Sequence, residues 1–375
     1  MRKHYDLAVV GLGIMGSSTL YAAARRGLSV IGLEQSPELP HASGSSHGQT
    51  RVIRQAYFEH PDYVPLIQRA YRAWHELEQE SGTRVLFQTG GLMMGSPSSA
   101  AVSGAIEAAE RHHLPYEVWD SATVSARFPA FHLPESEVAV YEEAAGYLLA
   151  EGAWSSFLSV ARARGAVVQL GSRVTEWDTS ADRIRLNANG SVIEADRLVI
   201  TAGPWIRHLW PSLPVWVERQ TPFWLDDAYV AALGDYPIYL HEDPEGQHVY
   251  GFPYRAGEGL KIARHHGGVR CTTETVSREV TAKDEEALRA GLGFFPAAKA
   301  ASVAQSSVCL YTNTPDEHFV VGQLPGSHGR IVVGAGFSGH GFKFASIMGD
   351  LLVQQAFTDM PLQELALFSP ERLHL

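Results

Sequence analysis

Tyr5-Asp6-Leu7-Ala8-Val9-Val10-Gly11-Leu12-Gly13-Ile14-Met15-Gly16 is the stretch that decides the fold. Tyr5 to Val10 reads as a short buried strand, rich in Leu and Val. The glycine run then leads into a helix from about Ser17 to Arg26, with Gly27 placed to end it. Ser29 to Leu33 reads as a second strand, and Glu34 stands at its end. Strand, glycine turn, helix, strand and acid follow the order of a dinucleotide-binding unit. Each residue type has a physical task in that order. Gly11 permits the tight turn, Gly13 lets the backbone approach a pyrophosphate, and Gly16 lets the helix pack close to the strand. The helix N-terminus offers unpaired N–H groups and a partial positive charge to the phosphates. Glu34 accepts hydrogen bonds from ribose hydroxyls and repels a 2′-phosphate. The motif alone does not separate FAD from NAD.

Composition bounds the rest. At about 150 residues per domain, 375 residues give roughly two to three domains. A hydrophobic share of 45% supplies a sizeable core. The formal net charge of -11 argues against a general nucleic-acid binder, which needs a basic face. Cys271 and Cys309 cannot make a disulfide framework or a Cys-rich zinc site, and so low a count fits a reducing compartment. No apolar run reaches the roughly 18 residues of a membrane span. Arg2, Lys3 and the alanines at 22–24 imitate a secretory signal, but Gly11, Gly13 and Gly16 cut the apolar stretch and Arg25 and Arg26 follow it. The chain ends Arg372-Leu373-His374-Leu375, without a peroxisomal or retention signal. The expectation is a cytoplasmic protein.

Further along, Tyr63 to Gln79, Ser103 to Arg111 and Gly152 to Arg164 read as helices. Val85 to Met94 reads as strands around a turn at Gly90-Gly91. Val167 to Leu170, Val174 to Trp177, Ile184 to Asn187 and Ser191 to Glu194 read as strands, with a hairpin turn at Asn187 to Gly190. Arg197 to Thr201 reads as a separate buried strand ending at Ala202-Gly203-Pro204-Trp205. Ile331 to Val333, followed by Gly334, Gly336, Gly339 and Gly341 and a helix into Leu352, repeats that theme. The nucleotide domain is therefore expected to be discontinuous: 1–82, 147–215 and 322–375, with a substrate domain at 83–146 and 216–321. The fold class is α/β, a Rossmann-like unit with an inserted α+β domain.

Four clusters carry candidate chemistry. In Gly44-Ser45-Ser46-His47-Gly48-Gln49-Thr50-Arg51-Val52-Ile53-Arg54, a helical end would put Arg51 and Arg54 on one face at i, i+3. Two guanidinium forks would receive a carboxylate, or else form a solvated basic face. In Tyr250-Gly251-Phe252-Pro253 and Lys261 to Gly268, a strand would aim Lys261 and His265 into one cavity, although a lone His is more often structural. Cys309 and Tyr311 share a side if they lie in a strand; the usual fate of such a thiol is an inert buried one. Gly336 to Phe344 presents backbone N–H groups to an anion at a helix N-terminus, with Lys343 as a second cation. No metal-binding spacing appears.

Together the four clusters resemble the monomeric sarcosine oxidase and N-methyltryptophan oxidase family, from about Tyr5 to Ile347. The carrying parts are Ser46 to Arg54, Tyr250 to Pro253, Leu260-Lys261, Cys309 with Tyr311, and Gly336 to Phe344. The resemblance implies FAD, bound covalently through a thioether between Cys309 and the flavin 8α carbon. It implies a flavin domain plus a substrate domain built on a large mixed sheet. Lys261 matches the lysine that activates dioxygen. Arg51 matches an arginine close to the flavin ring, and Ser45, His47 and Thr50 lie in the same flavin-lining segment. Arg54 and Lys343 match the pair that holds the substrate carboxylate; Tyr250, His265 and Tyr311 match cavity residues. Gly11, Gly13, Gly16 and Glu34 match the ADP-binding end. Val174, Gly203, Gly339, His340, Gly341 and Lys343 complete the expected cofactor contacts.

The implied activity is oxidation of a secondary, N-methyl amino acid to an imine. Dioxygen goes to hydrogen peroxide, and N-methyl substrates release formaldehyde. The implied partners are a small amino acid and O2, with no nucleic acid, no membrane and a monomeric state. The sequence departs from the family pattern, first in the segment around Glu59 that borders the cavity entrance in the family. Phe58 and His60 flank Glu59 where small glycines are common, Gln49 replaces an Asp, and Val249 replaces a Tyr. The alternative from sequence is a flavin-dependent oxidase or dehydrogenase of a cyclic imino acid or a glycated amino acid. A nucleotide-binding protein without turnover is the reading outside enzymes.

Overall fold

The strand His4–Val10 lies inside an eight-stranded sheet, between Val30–Leu33 and Ser191–Ile200, parallel to both. We describe a computed structural model covering residues 4–180, 182–226, 228–358 and 360–373. Val167–Gln169 extends the sheet in parallel beyond Val30–Leu33. On the other side, the first half of Ser191–Ile200 pairs antiparallel with Ile184–Ala188, which pairs with Val174–Asp178. Its last three residues pair in parallel with Ile331–Ala335, which is joined by Val320–Gln323. Sequence reading split Ser191–Ile200 into two strands. It is one strand of 10 residues, because its pairing with His4–Val10 runs from Glu194 to Ile200, across the place where its other partner changes.

The helix Ile14–Arg25 has almost every side chain buried, and Gly27 follows it at φ +75°. Ala345–Ala356 crosses it so closely that a Cβ on Gly349 would lie 2.3 Å from the Ser18 carbonyl carbon. Ala150–Ala163 packs on its other flank. The amphipathic helix Val64–Ser81 buries Leu66, Ile67, Ala70, Trp74 and Leu77, and stops at Gly82, φ +68°. Its Trp74 Nε1 donates to the Lys343 carbonyl at 2.8 Å, fixing a residue expected at the site.

A second eight-stranded sheet runs Val303–Ser306, Phe223–Leu225, Leu260–His265, His248–Gly251, Ile238–Glu242, Gly91–Gly95, Val138–Glu142, Glu117–Asp120. Only the Ile238–Glu242 and Gly91–Gly95 pairing is parallel, so the sheet is mixed, as expected. Two three-stranded sheets accompany the large ones. Thr50–Ile53, Gly146–Leu149 and Leu86–Gln88 form one; Val269–Cys271, Trp216–Gln220 and Cys309–Asn313 form the other. The strands expected around Gly90-Gly91 are present, and Leu86–Gln88 and Gly91–Gly95 belong to different sheets. Gly349→Ala is expected to cost about 1–3 kcal/mol by overpacking the helix crossing. The check is an earlier denaturant midpoint with an unchanged slope.

Candidate active site

The glycine turn bears the geometry its spacing predicts. Gly11 has φ +88°, and a Cβ there would lie 2.6 Å from the Thr201 carbonyl oxygen. A Cβ on Gly16 would lie 1.8 Å from the Gly11 carbonyl, so the helix can start only with glycine there. Ser46 Oγ accepts from Ile14 N at 3.0 Å, and Glu34 accepts from Leu12 N at 2.8 Å and Ser36 N at 2.9 Å. Trp154 Nε1 donates to Leu12 O at 2.7 Å. A long cavity runs from this turn. Gly11, Gly13 and Glu34 line it together with Ser45, Val174, Gly203, Gly339 and Gly341. Gly16 lies behind the turn and does not reach the cavity. Thr312 Oγ1, from the same wall, is buried without a protein partner. A helix N-terminus, an acid at the strand end and a glycine-lined trough fit FAD.

A second cavity adjoins the first. Arg51, Tyr311, Gly339 and Phe342 line both. Around the second stand His47, Cys309, Lys261, Tyr250 and His265, with Arg54, His340 and Lys343 opposite the sheet strands. Thr50 lines neither; its side chain is buried and its carbonyl accepts from Lys261 at 2.7 Å and Arg51 at 2.8 Å.

Local structure explains the aim of each group. Leu260–His265 is a strand, so Lys261 and His265 share a face. Cys309–Asn313 is a strand, and Cys309 and Tyr311 both face the cavity. The helical reading of Arg51 and Arg54 is corrected: Thr50–Ile53 is a strand, paired with Gly146–Leu149. The pattern misled because four residues are too few for a period, and pairing with a distant strand chose the state. Both arginines still reach the cavity, because the strand ends at Ile53 and the chain turns.

Burial dominates the electrostatics. Lys261 Nζ donates to the Gly48 and Thr50 carbonyls, with the Phe252 and Trp224 rings 5.0 and 5.6 Å away. Burial, then the Arg51 charge, holds it well below the ordinary lysine range. Gln49 Oε1 accepts from Trp224 Nε1 at 2.5 Å, which gives that departure a task in seating the ring beside Lys261. His265 is pushed well below 6.5 by burial and then by His266, His248 and His340, so it is neutral near pH 7; its Nδ1 lies 3.3 Å from Tyr311 OH. Burial would raise the Cys309 thiol, but His47, Arg51 and Lys261 bring it down to about 7. A thiolate is the reactive form of cysteine.

Arg54 donates to Ala56 O at 2.8 Å and to Glu59 Oε2 at 2.6 Å. Burial opposes ionisation of Glu59, yet Arg54, His340 and Lys343 hold it down to about 2. Lys343 Nζ donates to His340 O at 2.9 Å; burial and Arg54 lower it to about 7 against the pull of Glu59. Among the described residues no group of three His, Cys, Asp or Glu is placed to hold a metal ion.

Sequence reasoning missed Ser46 and Trp154 as turn anchors. It also missed Glu151, which accepts from Gly48 N at 2.7 Å and Gln49 N at 2.9 Å and so shapes the segment carrying His47 and Arg51. Only Ser46 had a signal, a small hydroxyl inside the quoted cluster; Glu151 and Trp154 act across more than a hundred residues.

The comparisons with known proteins come to the same class. The family model for FAD dependent oxidoreductases matches residues 6–355. A monomeric sarcosine oxidase of Streptomyces avermitilis is 36% identical, covering 100% of this chain and 99% of the relative. An N-methyl-L-tryptophan oxidase of Salmonella heidelberg is 31% identical over 98% and 99%. The chain belongs to the FAD-dependent oxidoreductases, in the family of monomeric sarcosine oxidase and N-methyltryptophan oxidase. A solved structure of NikD, an amino acid oxidase, superposes with a TM-score of 0.87 at 21% identity over 98% of this chain and 97% of that one, which bears on the fold alone.

An anion entering the second cavity meets a lysine charged below pH about 7 and neutral above it. Acetate is therefore expected to bind more weakly as pH rises from 6 to 8.5, both as Lys343 loses its proton and as the Cys309 thiol ionises; Lys343→Met reduces this dependence and Lys343→Met with Cys309→Ser flattens it. Calorimetric titration at several pH values checks both.

Proposed function

We propose that the chain is an FAD-dependent oxidase of secondary amino acids, of the sarcosine or N-methyltryptophan type. The carrying observation is the contact of the two cavities: the dinucleotide trough shares its walls at Arg51, Tyr311, Gly339 and Phe342 with a chamber lined by Cys309, Lys261, Arg54 and Lys343. In this reading 1–82, 147–215 and 322–375 form the FAD domain, and 83–146 and 216–321 the substrate domain. The relatives act, by name, on sarcosine and N-methyltryptophan, and the site chemistry accommodates such donors.

Bound FAD supplies the two-electron acceptor that takes the hydride equivalent and hands it to dioxygen as peroxide. The protein supplies position and charge. Arg54 and Lys343 grip the substrate carboxylate, which supplies rate by orientation. The amine must be neutral to give up a hydride equivalent, and a cavity of cations and neutral imidazoles lowers the affinity of an amine for its extra proton. Tyr250, His265 and Tyr311 line the space left for the substrate. Lys261 stabilises negative charge on reduced oxygen, and Arg51 adds to that field. Cys309, its thiol poised near neutrality, is the attachment point for a covalent flavin. The proposed setting is a monomer in the cytoplasm, where Cys271, the cysteine not used for the flavin, stays reduced.

The test is an oxidation screen with sarcosine, N-methyltryptophan, pipecolate and a fructosyl amino acid, scored for peroxide and formaldehyde. Turnover of an N-methyl substrate with both products is expected; activity on pipecolate or the fructosyl compound alone overturns the substrate assignment. After acid precipitation the yellow colour should stay with the wild-type protein and leave Cys309→Ser. Lys261→Met should slow the oxygen half-reaction at least about tenfold more than the substrate half-reaction, read by stopped-flow absorbance.

A further inference from the structure

The guanidinium of Arg54 is gripped from several sides, and one grip comes from outside the cavity. Its Cζ lies 4.6 Å from the Tyr57 ring centre and 4.3 Å from that of Phe58. Tyr57 is itself locked, stacked on Tyr63 at 4.7 Å and bonded through its hydroxyl to His340 Nδ1 at 2.6 Å. Phe58 is half-buried and does not line the cavity. Its ring meets both Arg54 and the His248 ring, whose centre is 5.6 Å away.

What seats Phe58 is the helix Ala100–His112. A Cβ on Gly104 would lie 2.7 Å from the Phe58 carbonyl oxygen and 3.1 Å from its Cα. No other residue lets this helix and the 56–59 segment approach so closely. The helix is anchored in turn: Glu242 accepts from Ala100 N at 3.2 Å and Ala101 N at 2.7 Å, and lies 3.2 Å from His248 Nε2. Gly104, Phe58, His248 and Glu242 thus form one continuous support behind Arg54.

We infer that Phe58, seated on Gly104, is a positioning residue that orients the Arg54 guanidinium for an anionic substrate group. The inference rests on the carboxylate-gripping role given to Arg54 above. A long, flexible side chain recognises a carboxylate well only when its fork is held in one plane, and an aromatic face supplies that plane without using up an N–H. The bulky Phe58, which departs from the small residues usual in the family, therefore has a function in ligand affinity. Gly104, remote from the chemistry, tunes it through the backbone.

The experiment uses the FAD-loaded protein and acetate as the probe. Phe58→Leu keeps the apolar bulk and removes the ring face; acetate Kd is expected to rise about threefold to tenfold, with the denaturant midpoint nearly unchanged. Phe58→Tyr restores the ring and is expected to bind within about twofold of wild type. Gly104→Ala is expected to weaken acetate in the same direction, and its effect should shrink when Phe58→Leu is already present. With sarcosine or N-methyltryptophan, whichever turns over in the screen, the change should fall on KM rather than kcat.

Equal acetate affinity in Phe58→Leu, Phe58→Tyr and wild type overturns the inference, as does a fall in kcat with KM unchanged. Fully additive effects of Phe58→Leu and Gly104→Ala overturn the coupling between them. If Gly104→Ala does not fold, the Phe58 pair decides alone. Arg54→Met separates the two layers. If wild type binds acetate no better than Arg54→Met, the carboxylate grip itself fails. If Arg54→Met weakens binding and Phe58→Leu does not, only the inference fails.

Discussion

Cations cannot be taken out of water without something to replace their hydration, and the site is built around that constraint. Arg54, Lys261 and Lys343 are 3%, 4% and 5% exposed, and Arg51 is half-buried beside them. An unpaired ion in such surroundings costs several kcal/mol. Here most of the replacement comes from backbone carbonyls: Gly48 and Thr50 for Lys261, Ser45, His47 and Thr50 for Arg51, and His340 for Lys343. Carbonyls satisfy the N–H groups without cancelling the charge. Glu59, on Arg54, is the carboxylate that lines this cavity. The result is a chamber in which the guanidiniums of Arg51 and Arg54 favour an anion and disfavour a protonated amine.

The same constraint explains the irregular path of residues 44–54. For its carbonyls to point at two cations, Lys261 and Arg51, the backbone leaves regular structure before Thr50, with Gly48 at φ +100° and Gln49 at φ +61°. Glu151 compensates by accepting the N–H groups of both residues. The segment also gives Ser46 to the nucleotide turn and Arg51 to the chamber. One loop therefore connects the phosphate end of the trough to the reactive end, and a change in it would be felt at both.

Periodic and stereochemical information was legible from the residues alone. The glycine turn, the strand alternation that pairs Lys261 with His265 and Cys309 with Tyr311, and the helices at 64–81 and 150–163 follow from short-range rules. Two errors came from the limits of those rules. Four residues at Thr50–Ile53 show no period, and the strands read at 191–194 and 197–201 are one strand because both parts pair with the first strand of the chain. The tasks of Phe58 and Gln49 were likewise hidden, since their partners Gly104 and Trp224 lie far along the chain.

Sequence by itself determined where the nucleotide unit starts, which residue types carry charge, and which side chains share a strand face. These depend on φ preferences, side-chain period and hydrogen-bonding capacity, all of which are local. Tertiary structure decided the rest: that two cavities share walls, that carbonyls rather than carboxylates hold most of the buried cations, and that Arg54 meets Glu59 and Phe58. Shifted proton affinities and fixed orientations arise only when desolvation and distant partners act together, and neither exists until the chain has closed on itself.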